Sequence, residues 1–167
     1  VADSAFYHSS CTSSIAEQEA EDADGQLLAH TSVEHTVNLI HPPSGHIMEC
    51  LSVAQERPLV VAHSTEGHLL ACGTHEGTIW VWDVGAVPSG GPAALRFQVQ
   101  PAHKTVLRLL FSSDGRWLAA YNEDDTVHLL DMARGQVVYS VAGVPGIFCL
   151  AFDRGGDTLI TGPGFVR

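Results

Sequence analysis

For its first fifty-six residues the chain carries no lysine and no arginine, yet it places nine carboxylates there. Residues 57–167 hold ten carboxylates and all eight basic side chains, for a formal net charge of −11. With no basic stripe to displace counterions, nucleic acid is excluded as a partner, and basic proteins are the better match for an acidic surface. No apolar run approaches the roughly 20 residues needed to span a membrane, and no membrane partner is expected. C-x-x-C pairs are also missing. Cys11, Cys50, Cys72 and Cys149 are scattered, the last three inside apolar segments where a free thiol acts as a small hydrophobe. That pattern points to a reducing, intracellular (cytoplasmic) compartment rather than a disulfide framework. G-x-S-x-G, H-E-x-x-H and a phosphate-cradling glycine loop are all absent, so neither an enzyme nor a cofactor is expected. The chain opens on Val1 without Met and without a basic-then-apolar leader, which reads as an internal piece of a longer protein.

What is present is a repeat. Gln26–His41 reads Q-L-L-A-H-T-S-V-E-H-T-V-N-L-I-H, and His68–Asp83 reads H-L-L-A-C-G-T-H-E-G-T-I-W-V-W-D. Arg116–Asp131 reads R-W-L-A-A-Y-N-E-D-D-T-V-H-L-L-D and aligns with both without a gap. Shared columns are Leu28/Leu70/Leu118, Ala29/Ala71/Ala119, the acids Glu34/Glu76/Asp124, Thr36/Thr78/Thr126, and an apolar triplet ending in Ile40, Trp82 or Leu130. A fourth copy starts at Gly156, so the leucine column runs 28, 70, 118, 159, in steps of 42, 48 and 41. A period near 40–45 residues made of short strands indicates a β-propeller with four-stranded blades. The long middle step is explained by Val84–Pro92, a Gly/Pro-rich insertion that should form a loop.

F-S-S-D-G-R-W-L-A at 111–119 and T-I-W-V-W-D at 78–83 resemble WD40 repeats. The resemblance implies an all-β segment of about three to four four-stranded blades, part of a larger propeller. Residues 1–13 would be an outer strand of a preceding blade (at 4–10) or a linker, 14–53 a weak blade, 54–100 and 101–142 full blades, and 143–167 the start of another. Strands are expected at 14–20, 27–32, 36–41 and 46–52, then 59–65, 69–74, 78–83 and 94–99. The third set is 105–112, 117–122, 126–131 and 136–141, followed by a final pair at 147–153 and 158–161.

The resemblance also implies structural side chains. Its buried polar set joins a His before strand a, a Ser or Thr on strand b, an Asp in the b–c turn and a Trp on strand c. No blade has all four. His103 and Asp124 are expected to hydrogen-bond, Glu76 and Trp82 occupy the acid and Trp columns, and Asp83 and Asp131 end their c strands. Cys72 and Ala120 replace the Ser or Thr. His30, His35, His41 and His46, like His63, His68 and His75, are spread over strands and turns, so no metal site is expected. Glu17, Glu19, Glu21, Asp22 and Asp24 read as a solvated acidic edge.

The d–a and b–c loops share one end of such a fold, and His75, Lys104, Glu123 and Asp125 are the candidate protein-binding residues there. The function implied is a non-enzymatic scaffold joining proteins inside a larger assembly, its remaining blades supplied by the rest of the chain. A long multi-repeat cytoskeletal or ciliary protein and a ubiquitin-ligase substrate receptor stay open. Against the latter, Gly85 and Ala133 stand where an adaptor-binding arginine would be.

Overall fold

The computed structural model describes residues 19–22, 24–142 and 147–163; the strand expected at 4–10 lies outside them. Fourteen strands follow one another: β1 (Glu19–Glu21), β2 (Leu28–Thr31), β3 (Thr36–His41), β4 (His46–Ser52), β5 (Pro58–His63), β6 (Leu69–Thr74), β7 (Ile79–Asp83), β8 (Ala94–Val99), β9 (Val106–Phe111), β10 (Trp117–Asn122), β11 (Val127–Asp131), β12 (Gln136–Val141), β13 (Ile147–Phe152) and β14 (Leu159–Pro163). They pair in chain order as three antiparallel four-stranded sheets and one two-stranded sheet. Most ends fall within two residues of the sequence expectation. At the first inner strand the described part is Glu19–Glu21.

The inner strands β1, β5, β9 and β13 touch in succession, so the sheets stack as blades. β6 and β7 are the most buried, with Ala71, Cys72, Ile79 and Val81 at 0% exposure. Leu70, Cys72, Trp80 and Trp82 face the first blade, packing on Leu27, Ala29, Val37, Leu39 and Val53. Ala71, Ile79 and Val81 face the third, against Val106, Phe111, Leu118 and Leu130. Burial on both faces is why these strands read as continuous apolar runs. Each outer strand carries a bulge at the same place, between Leu39/Ile40, Val81/Trp82 and Leu129/Leu130 of the strand it pairs with. The bulges bend and twist the rim at the same position in each four-stranded blade.

One turn recurs four times. Asp22 Oδ1 accepts the N–H groups of Gln26 and Leu27 (2.7 and 3.0 Å), and Asp153 Oδ1 those of Asp157 and Thr158 (2.9 and 3.0 Å). Ser64 Oγ accepts from Leu69 and Ser112 Oγ from Trp117, each at 3.0 Å. The carbonyls of the same four residues accept the N–H of Gly25, Gly67, Gly115 and Gly156, whose φ values of 65 to 72° favour glycine. Asp22, only 8% exposed, is therefore a turn cap and leaves the solvated edge on which Glu19 and Glu21 remain. The Val84–Pro92 segment also departs from expectation. Val87–Ser89 forms a 3-10 turn, and Val84 and Val87 are buried in the core between the first two blades.

His63 is the misfit of this core. It pairs with Leu70 in the register where Phe111 pairs with Leu118 and Phe152 with Leu159. Both ring nitrogens are buried, and the Ala20 backbone that lies nearest does not meet hydrogen-bond geometry. Burial lowers its pKa to about 4, against the opposing pull of the Asp22 carboxylate and then of the Ala20 backbone. Because the folded value lies below the unfolded one, the unfolded chain binds the proton first. Stability is then full above pH 6.5 and falls by about 3 kcal/mol as the pH drops from 6.5 to 4. His63→Phe should remove that acid-side loss and raise unfolding free energy at pH 7 by about 1–3 kcal/mol. Urea titrations at pH 5 and 7 measure both; an unchanged pH slope would contradict the assignment.

Candidate protein-interaction end

The b–c turns follow β2, β6 and β10, and the d–a loops follow β4 and β8; they meet at one end of the blades. In each turn the third residue of the tip is left-handed: His35 (φ 62°), Gly77 (93°) and Asp125 (60°). A backbone bond closes each at its base, from Ser32, Thr74 and Asn122 to Thr36, Thr78 and Thr126. The first two turns are also strapped by the loop leading into the next blade. Val53 N–H donates to the His35 carbonyl, and His35 Nδ1 lies 2.7 Å from the Glu56 carbonyl. Gln100 Nε2 donates to the Glu76 carbonyl (2.9 Å), and Thr105 Oγ1 to that of His75 (3.1 Å). Within blades, His75 N–H donates to Arg57 O and Glu123 N–H to Thr105 O. The straps are tight: a Cβ on Gly77 would lie 2.1 Å from the Ala102 carbonyl oxygen. Loops fixed at this density of backbone bonds hold the backbone positions from which their exposed side chains project, which lowers the backbone entropy lost on docking.

The polar set beneath this end is centred on a residue the repeat pattern did not single out. Glu56, in the loop between β4 and β5, accepts from Thr78 Oγ1 through Oε1 (2.8 Å). Its Oε2 accepts from Thr74 Oγ1 (2.9 Å) and Trp80 Nε1 (3.2 Å). Thr74, Thr78 and Trp80 are 0, 6 and 9% exposed, so the carboxylate satisfies three donors that would otherwise be buried unpaired. Trp82, expected to carry the indole hydrogen bond, instead stacks on Trp80 with centroids 6.0 Å apart and planes at 12°. Cys72 lies fully buried, and its thiol is pushed far up by burial and then by the Glu56 charge, which leaves it unreactive.

The hydrogen bond expected between His103 and Asp124 is absent. Both are exposed; Asp124 Oδ1 accepts its own turn's Thr126 N–H (3.3 Å), while Asn122 Nδ2 reaches the Lys104 carbonyl (2.6 Å). The acid of this column sits at the tip of the turn, too far out to meet a buried partner. Glu76 accepts the Arg57 N–H (3.0 Å). Asp83 and Asp131 cap the turns after their strands, accepting from Gly85 and from Ala133 and Arg134.

Of the candidate binding residues, His75 and Glu123 are exposed in b–c turns and Lys104 in the loop between β8 and β9. Asp125 is half-buried and accepts the Tyr121 hydroxyl, so its carboxylate is engaged inward. No group of three or more His, Cys, Asp or Glu that could hold a metal ion occurs among the described residues. His128 is buried in the third blade, its Nδ1 2.7 Å from Ser140 Oγ, and burial lowers its pKa despite nearby Asp124. Sequence periodicity could not reveal Glu56, because its partners lie 18 to 24 residues downstream. Glu56→Ala should cost about 3 kcal/mol, and Glu56→Gln less, since the amide oxygen can still accept. Urea unfolding followed by tryptophan fluorescence tests this; an Ala variant as stable as the parent would show the network contributes nothing.

The family described as WD domain, G-beta repeat matches residues 39–83 and 96–131, both stretches ending on the aspartate that closes strand c of a blade. No curated protein matches the chain. WD40 domains generally bind other proteins and are generally not enzymes. Four-stranded antiparallel blades in series, the repeated turns and these matches identify the chain as a member of the WD40-repeat family, with the protein-interaction scaffold kind of domain that the repeats indicate.

Proposed function

We propose that this chain is a non-enzymatic scaffold inside a larger intracellular assembly, docking proteins through the end where b–c turns and d–a loops meet. The observation that carries this reading is the strapped strip from His35 through Glu56 and His75 to Glu123, which fixes the backbone and leaves charged side chains outside. Basic segments are the favoured partners. Glu76, Glu123 and Asp124 are exposed there, against the cations Arg57 and Lys104. Nucleic acid is disfavoured by the same charge. Further blades come from the rest of the same protein and complete the propeller around the inner strands.

The test is recovery of partners from cell extract by the full protein. His75→Ala with Glu123→Lys should lower recovery at least several-fold, whereas Arg134→Glu, at the opposite end, should not. Equal recovery by the first variant would overturn the choice of end.

A further inference from the structure

On the second blade, at this same end beside the loop that enters it, lies an open cleft of about 320 Å³ that the scaffold reading does not use. Its wall is formed by Glu56, Thr78 and Trp80 from within and by Gln98, Val99 and Gln100 from the outer strand and the loop after it. We propose that this cleft receives the side chain of a lysine from a docked protein. The inference deepens the proposed function and rests on the same end being the docking face.

The chemistry follows from the acceptors. An ionised carboxylate offers about four lone-pair positions. Glu56 Oε2 accepts two hydrogen bonds, from Thr74 and Trp80, and Oε1 accepts one, from Thr78. One position therefore remains, on the oxygen held by Thr78, which itself lines the cleft while Thr74 does not. All three donors are neutral, and no ion pair to Glu56 forms among the described residues. A negative charge half-withdrawn from water and met only by neutral donors favours a cation arriving from outside. A single open lone pair rules out the two parallel bonds by which a guanidinium gains over an ammonium. The compact ammonium needs further acceptors, and the side-chain carbonyls of Gln98 and Gln100 on the opposite wall are of the right type. The stem of the lysine would lie along Val99.

The experiment titrates the whole chain, ¹⁵N-labelled at its indoles, with the peptide Ac-Gly-Lys-Gly-NH2. Parallel titrations place arginine or Nε-acetyl-lysine at the middle position. The expected result is a saturable shift of the Trp80 indole N–H with the lysine peptide, a weaker one with arginine and none with acetyl-lysine. Gln98→Lys puts a competing cation in the cleft from an exposed position outside the Glu56 hydrogen bonds. It should weaken binding at least about tenfold and itself move the free protein's Trp80 signal toward the lysine-bound position, with the Trp82 and Trp117 signals kept. Glu56→Gln, if folded, should do the same. A Trp80 signal that does not move, or binding indifferent to Gln98→Lys, would overturn the site; tighter binding of arginine would overturn the choice of lysine. His75 and Glu123 lie outside the cleft, so these outcomes are separable from partner recovery.

Discussion

Everything in this molecule depends on burying the two central strands of each blade from both sides. A single four-stranded sheet has two apolar faces and no means of covering either. In the second blade Trp80, Trp82, Leu70 and Cys72 are covered by the first blade, and Ala71, Ile79 and Val81 by the third. Each blade is thus the solvent shield of its neighbour, and stability is shared between adjacent units. The same arrangement continues at Tyr121 and Val127, which pack against Leu150 and Leu159 of the final strand pair.

Stacking creates polar obligations that the two ends meet differently. At one end a side-chain oxygen from Asp22, Ser64, Ser112 or Asp153 captures the N–H at the start of strand b, and a left-handed glycine returns the chain. At the other, loops running to the next blade strap the first two b–c turns, and Glu56 gathers the buried donors of Thr74, Thr78 and Trp80. Rigidity needed for packing thereby becomes rigidity of the surface offered to partners. Blades differ in how they close this end: where the second uses a carboxylate from a loop, the third uses Asn122 against the Lys104 carbonyl.

Much of this was legible in the residues themselves. The leucine steps of 42, 48 and 41 located four copies, and the a–b glycines 25, 67, 115 and 156 follow the same steps because each turn is the same turn. Less legible was which polar side chain meets which. Asp22 looked like one acid among five in a cluster, and only its position at the first a–b turn makes it a cap. His103 and Asp124 had the right order in sequence but lie exposed, while Glu56 had no pattern to mark it. The Gly/Pro-rich insertion hid two valines that become part of the core.

By itself, then, the order of residues determined the strands, their period and the all-β blade architecture. Those follow from alternation, turn chemistry and two-sided burial, which act between residues close in the chain. Only the tertiary structure decided that Trp80 rather than Trp82 donates to an acid, that His63 occupies a phenylalanine's place between blades, and that a cleft opens beside Glu56. Such choices depend on which side chains of neighbouring blades arrive at the same point in space. That is set by loop paths across tens of residues and leaves no periodic trace.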